Sequence, residues 1–404
     1  MTNSNIDSPY KDYTFPTLDL LHHYEESPTG SDDFVSIEDV IKSEEFQNCD
    51  MELPLALGKT KKGKVYLMDL AQAPHLLIAG AANEGLQSGL KTIITSLLYK
   101  KRPEELKLVL IDSAGIYFDD YNKIGKHFLA TNAENTDIPV VCKADKALKT
   151  LKSVATLMDV RYDLLKKSGA RNIKEYNGMC VDGKLNSVDG HHYMPYVVLI
   201  VNEFVEHIMI FGKEMEMLLA SIAQMSRAVG IHTIIATQRP GNSCISGIIK
   251  ANYTSRIAFK MSSSLESWLI IDSPKAANFK TDGSMLLLHD TRLTQLQCAY
   301  VDMAEVERIN DFIASQPAPD MTMILPEPGN RYDSRPKDCL DPLYDEIVDF
   351  VLEQQPCTCA MIQRKFSIGY NRACCVILQI RFMAGQSDTK AVLAIKNLET
   401  KKSI

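Results

Sequence analysis

The chain of 404 residues carries 45% hydrophobic and 24% charged residues, with a formal net charge of −7. Length alone predicts about two or three domains, and the composition, ordinary for a soluble protein, permits a sizeable core. No apolar run reaches the roughly 18 residues that cross a bilayer and Met1–Asp12 is too polar for a signal segment, so the expectation is a cytoplasmic protein whose ten scattered cysteines are free thiols.

Residues 1–52 read as an acidic, mostly extended arm with one short helix, Ser36 to Phe46, capped by Ser36. Thirteen acids and two bases fall between Met1 and Leu57. Leu53–Leu57 and Lys64–Met68 read as strands around the turn Gly58 to Gly63. From there strands and helices alternate. Strands are expected at His75–Ala79, Leu106–Ile111, Tyr196–Val201, His232–Ala236, Arg256–Lys260 and Ser284–Leu288. Helices are expected at Ser88–Lys100, Lys143–Lys167, Lys213–Val229 and Ile245–Asn252. This alternation predicts an α/β domain over 53–325, built on a parallel sheet covered on both faces. Residues 326–338 read as a linker. A third unit, 339–404, has helices at Leu343–Gln355, Ala360–Phe366 and Tyr370–Ala384, then a strand at Ala391–Ile395. Its second part is basic, with eight bases and two acids from Met361 to Ile404. Three helices and a terminal strand suggest a winged-helix DNA-binding domain.

The stretch Pro74–Leu90 has the layout of a strand, a phosphate-binding loop and a helix. Such a loop is G-x-x-x-x-G-K-[ST]: backbone N–H groups wrap the phosphates, Lys reaches the outer ones and Ser/Thr holds Mg²⁺. Gly80 and Gly85 stand at that spacing, with Ala81, Ala82, Asn83 and Glu84 between them, but Leu86 and Gln87 follow where Lys and Ser/Thr are needed. The strand Tyr196–Val201 runs into Asn202 and Glu203. In an active ATPase of this kind an Asp there orients the metal and the Glu polarises water. Asn202 is neutral and Glu203 remains. Gln238 and Arg239, after the strand His232–Ala236, sit where a γ-phosphate sensor is found.

Together with Lys107–Asp112, Arg161–Asn177, Pro195–Glu203, Ser226–Pro240, Ile249–Phe259 and Asp341–Arg372, these stretches resemble the motor of the FtsK/SpoIIIE family of double-stranded DNA translocases. The resemblance covers most of residues 53–385. It implies a RecA-like P-loop fold, use of ATP and Mg²⁺, a ring around duplex DNA and a C-terminal winged helix of the gamma type. It places nucleotide contacts at Gly80–Gln87 and Gln238, and interface contacts at Arg239 and Arg256. Departures from the family pattern cluster at the site: Leu86, Gln87, Asn202, and Glu266-Ser267-Trp268 in place of Asp-Ser-Arg. The family's αβ channel region and its membrane helices are not matched.

From these departures the leading expectation is a DNA-associated pseudo-ATPase with weak or absent nucleotide binding, acting as an adaptor or regulatory subunit of a homo- or hetero-oligomeric ring. An active translocase with a non-standard nucleotide site is the alternative, and a purely structural interaction protein a third reading. Arg364, Lys365, Tyr370, Asn371 and Arg372 flank the start of the expected recognition helix and are the candidate DNA contacts. Cys357, Cys359, Cys374 and Cys375 have poor spacing for zinc and are expected as small thiols, so no metal site is expected. His22-His23 and His191-His192 lack partners at ligand spacing and are given no role.

Overall fold

A computed structural model describes residues 10–24, 33–82, 85–241, 244–320, 322–329, 340–354, 356–385 and 388–398. Where it is described, the acidic front is bound to the body of the protein. Tyr10 and Tyr13 are buried, Arg102 donates to both of their carbonyls (2.7 and 3.2 Å), and Lys107 Nζ donates to the Tyr10 hydroxyl at 3.0 Å. The single helix expected at Ser36 to Phe46 is two, α1 (Ile37–Ile41) and α2 (Glu44–Gln47). Ser36 caps the first as expected. Ser43 breaks the run, because its extended backbone and hydroxyl cap a fresh helix at Phe46 N.

A hairpin follows, β1 (Pro54–Thr60) and β2 (Val65–Asp69), in register from Pro54 opposite Asp69. Then come β3 (His75–Ala79), α3 (Leu86–Leu98), β4 (Leu106–Asp112), α4 (Gly125–Phe128) and β5 (Ala130–Thr131). The long α5 (Ala144–Ser168) and α6 (Ile173–Val181) lead to β6 (Tyr196–Asn202), α7 (Phe204–Phe211), α8 (Lys213–Met225) and β7 (Ile231–Thr237). The domain is completed by α9 (Gly247–Asn252), β8 (Ser255–Ala258), α10 (Ser264–Ile271), β9 (Ser284–His289), β10 (Arg292–Cys298), α11 (Met303–Ala314) and β11 (Met323–Ile324).

Nine strands form one sheet in the order β2-β1-β10-β9-β8-β3-β7-β6-β4. The stretch from β8 to β4 is parallel, as the alternation predicts, and β3, β4, β6 and β7 are buried at every residue. The other half is antiparallel, from β8 through β9, β10 and β1 to β2. β10 is absent from the sequence reading because it is half exposed and carries Thr and two Gln among its apolar residues. α7 is absent from the sequence reading for another reason: Phe-Val-Glu-His-Ile-Met-Ile-Phe is only eight residues long and mostly apolar, too short for its helical spacing to stand out.

The C-terminal unit holds α12 (Tyr344–Glu353), α13 (Cys359–Phe366), α14 (Tyr370–Gly385) and α15 (Thr389–Ile395) around a core of its own. The strand expected at Ala391–Ile395 is a helix. Asp388 accepts from Ala391 N at 3.1 Å, and Ala391 and Ala394, one helical turn apart, face the core. Among the described residues the wing reduces to one bridge, Cys357 to Leu398. α14 also packs on α7. The Phe382 ring stands edge-on to Phe211 at 5.0 Å, and Gln379 Nε2 donates to the Ile210 carbonyl at 3.0 Å. Among the described residues no helix is long and apolar enough to cross a membrane.

Four histidines are buried among the described residues: His75, His127, His207 and His232. Burial pushes His75 down to about 3, with His232 adding to it, and His207 and His232 each down to about 4. A lowered histidine leaves the unfolded chain binding more protons between its folded value and about 6.5, so stability is lost as pH falls through that window. His232→Gln is expected to flatten the loss between pH 7 and 5 by roughly 2 kcal/mol, read from denaturant unfolding at both pH values. An unchanged slope would contradict the assignment.

Candidate functional site

The head of the sheet is organised around a ring. Phe259, just past β8, is 1% exposed, and its backbone N–H donates to the carbonyl of Ala79 at 2.8 Å. Three glycines face its side chain. A Cβ on Gly80 would lie 2.8 Å from Phe259 Cβ, one on Gly85 2.7 Å from Cδ1 and one on Gly89 2.6 Å from Cζ. Gly85 also stands at φ +100°, a left-handed conformation open to glycine, where it turns the loop into α3. The spacing read from sequence as a phosphate cradle therefore has a packing cause as well. Gly80 N donates to Thr237 O at 3.3 Å and Ala81 N to Lys260 O at 2.8 Å. Ala82 is exposed, and Asn83 and Glu84 lie outside the described residues.

The side chains that follow do not present charge. Leu86 is 2% exposed. Gln87 Nε2 donates to Asn202 Oδ1 at 3.4 Å, and the buried Asn202 Nδ2 donates to Asp112 Oδ1 at 3.0 Å. The other carboxylate oxygen of Asp112 accepts from Ile116 N and Tyr117 N at 3.0 and 2.8 Å. A relay of amides thus runs from the start of α3 to the end of β4. Asp112 had no role in the sequence reading. Its signal is topological, since β4 and β6 pair with Asp112 opposite Asn202.

Glu203 follows at φ 56°, a strained left-handed position for a side chain of its size. Its carboxylate accepts from Gln238 N at 3.1 Å and from the Thr237 hydroxyl at 3.2 Å. Burial pushes its pKa up to about 7; the Gln238 N–H opposes that, and nearby Glu206 adds to it. Gln238 Nε2 reaches the Tyr117 hydroxyl at 3.5 Å. A cavity of about 250 Å³ opens here, lined by Leu86, Gln87, Gln238, Tyr117, Phe34 and Tyr300 among others. Asp282 also lines it, and no Lys or Arg does among the described residues. Phe34 and Tyr300 are sequence-silent members, brought in by the arm and by the chain after β10, with ring centres 5.7 Å apart.

Arg239 is exposed beside this site. Arg256, expected at a subunit interface, is instead a brace within the subunit. It is 8% exposed and donates to the carbonyls of Tyr253, Ile270 and Lys250 and to Asp272, the last at 2.7 Å. In the C-terminal unit Arg364 and Lys365 are exposed at the end of α13, and Tyr370 is half exposed at the start of α14. Arg372 is held by a forked pair of bonds to Asp341, at 2.8 and 2.9 Å. The side chain of Asn371 lies outside the described residues. Among the described residues no cluster of three metal-binding side chains exists.

A mixed sheet with a glycine loop entering a helix at the end of β3, and an Asn-Glu pair at the end of β6, two strands away across β7, has the architecture of a P-loop ATPase. Solved structures share the fold. The conjugation coupling protein TcpA of pCW3, in monomer form with ATPγS, aligns over 70% of this chain and 74% of its own, at a TM-score of 0.56 and 22% identity. The cytoplasmic domain of the Thermomonospora curvata type VII secretion ATPase EccC aligns over 75% of this chain and 36% of its own, at 0.57 and 20%. The FtsK/SpoIIIE family model matches residues 36–242, and the FtsK gamma domain model matches 338–383. DNA translocase FtsK of Haemophilus influenzae is 37% identical over 88% of this chain and 70% of its own length. That of Chlorobaculum tepidum is 36% identical over 90% of this chain and 46% of its own. The chain belongs to the FtsK/SpoIIIE family, and spans less than half the length of several of its relatives, that of Chlorobaculum tepidum among them.

Because the ring of Phe259 fills the glycine cradle, Gly89→Ala is expected to cost about 1–3 kcal/mol of stability through overpacking. Phe259→Leu in the same chain should recover part of that loss. Thermal or denaturant unfolding of the two single variants and the double variant reads the coupling; strict additivity would argue against the contact.

Proposed function

We propose that this chain is a DNA-associated member of its family that does not turn over ATP, and that it serves as an adaptor or regulatory subunit of a translocase ring. The observation that carries this reading is the amide relay Gln87–Asn202–Asp112. A Mg²⁺–triphosphate needs a cation for the outer phosphates, a hydroxyl for the metal and a carboxylate to hold its water. Here Leu86 supplies no charge, and the side chains at the other two positions bond one another. Asp112, the carboxylate bonded to Asn202, is spent on that amide and on backbone N–H groups. Each lost contact to phosphate or metal is worth several kcal/mol in a site shielded from water. The residues present therefore do not fit the magnesium nucleotide.

Two groups support a role at a subunit contact. Glu203 still faces Gln238, and Arg239 stands exposed beside it. On this reading they act at the contact with a neighbouring subunit, Arg239 as a donor to that subunit's own nucleotide. Arg364, Lys365 and Tyr370 form the part of the C-terminal unit open to duplex DNA, while Arg372 is neutralised by Asp341.

Calorimetry with a non-hydrolysable ATP analogue is expected to give no magnesium-dependent binding to the native chain. Leu86→Lys, Gln87→Ser and Asn202→Asp introduced together should raise affinity at least about tenfold, as a restored metal and phosphate contact requires. DNA-stimulated turnover above about 1 s⁻¹ by the native chain, an ordinary enzyme rate, would reverse the reading in favour of an active translocase with a non-standard site. For the DNA contact, Asp341→Asn releases Arg372 and should tighten duplex binding and steepen its salt dependence by about one ion. Gel shifts across a salt series measure this, and salt-independent or absent binding would leave the C-terminal unit as a protein-interaction module.

A further inference from the structure

The C-terminal helices hold a pair of thiols that neither nucleotide nor DNA binding uses. Cys359 is the first residue of α13, and Cys374 lies in the second turn of α14. Their sulfurs are 2.9 Å apart, and the Cys359 thiol also lies 3.5 Å from the Tyr370 carbonyl. Both residues are half-buried, so a small solute reaches the sulfurs while two helices fix their separation. Cys357 is buried with its thiol turned to the Thr358 carbonyl at 4.0 Å. With no third metal-binding group assembled among the described residues, the arrangement suits thiol chemistry rather than metal.

We propose that Cys359 and Cys374 form a reversible disulfide that clips the start of α13 to the start of α14, with a low-molecular-weight disulfide such as glutathione disulfide as the oxidant. The Cys374 thiolate attacks one glutathione sulfur, the glutathione S–S bond breaks, and one glutathione thiolate leaves. The result is a mixed disulfide on Cys374. Cys359 gives its proton to solvent and attacks the Cys374 sulfur; the second glutathione leaves as a thiolate and takes up a proton. Two protein thiols have lost two electrons and two protons, and one glutathione disulfide has become two glutathiones. Burial, and the bond to its sulfur neighbour, push the Cys359 thiol up, and because the two sulfurs touch, the same link forms if Cys359 attacks first. The second step is intramolecular between sulfurs already in contact, so it outruns further glutathionylation. The bond closes a loop that contains the turn Ser367–Gly369, and so fixes the angle at which α14 is presented.

The test equilibrates the full chain in glutathione buffers from fully reduced to fully oxidised, followed by alkylation and non-reducing peptide mapping. The expected product is a single Cys359–Cys374 link, reversed by dithiothreitol, lost in Cys359→Ser and in Cys374→Ser, and kept in Cys357→Ser and Cys375→Ser. Amide exchange in α13 and the first half of α14 should slow several-fold on oxidation. The proposal is overturned if the two sulfurs stop at mixed glutathione adducts, if a different pair links, or if added zinc masks the thiols with one ion per chain.

Discussion

The packing of Phe259 against Gly80, Gly85 and Gly89 is the constraint on which the head of the sheet depends. The ring ties β8 to β3 from one side while its backbone N–H ties them from the other, through the Ala79 carbonyl. Three missing side chains are needed for this closeness. Interiors are packed like crystals, and no neighbour at this depth has room to yield. The loop between β3 and α3 therefore keeps its course whatever its tip does. A turn of this shape does not depend on the side chains that follow it, here Leu86 and Gln87, because its geometry is held from beneath.

What lies above the ring is electrically quiet. Gln87 and Asn202 are neutral, and their bond satisfies Gln87 Nε2 and Asn202 Oδ1 near the end of a buried strand, while Gln87 Oε1 is buried without a partner among the described residues. Asp112 has its charge met by one amide and by backbone donors at the turn that follows β4. The aromatic rings of Phe34 and Tyr300 close the cavity from the antiparallel side of the sheet, so the arm does more than cover surface.

The sequence disclosed the parallel half of the sheet because fully buried strands have an unmistakable composition: β6 is Tyr-Val-Val-Leu-Ile-Val-Asn. Helices with a clear stripe, such as α3 and α5, were legible for the same reason. β10 was hidden by its exposed polar face and α7 by its shortness. At the site, the glycines and Leu86, Gln87, Asn202 and Glu203 could be read directly, since each is a departure from, or a match to, a local motif. Asp112, Phe259, Phe34 and Tyr300 could not. They arrive from distant segments, and pairing across a sheet carries no signature in any one stretch. Arg256 shows the converse: an arginine at the right place in a motif became a structural brace once Asp272 and three carbonyls surrounded it. The strand expected at Ala391–Ile395 failed because an aspartate cap and two alanines at helical spacing outweighed a short apolar run.

The helix α7 connects these halves of the molecule. It begins directly after Glu203, whose φ is 56°, and ends at Gly212, whose φ is also 56°. Eight residues of helix make a rod roughly 12 Å long, with a backbone pivot at each end. The C-terminal unit grips the far end through Phe211 and Ile210, while the near pivot carries the carboxylate that holds Gln238. In mechanical terms this is a connecting rod. One end of the rod carries the carboxylate bonded to Gln238, a residue of the cavity wall, and the other carries the ring packed on Phe382, so a single rigid element joins the two contacts.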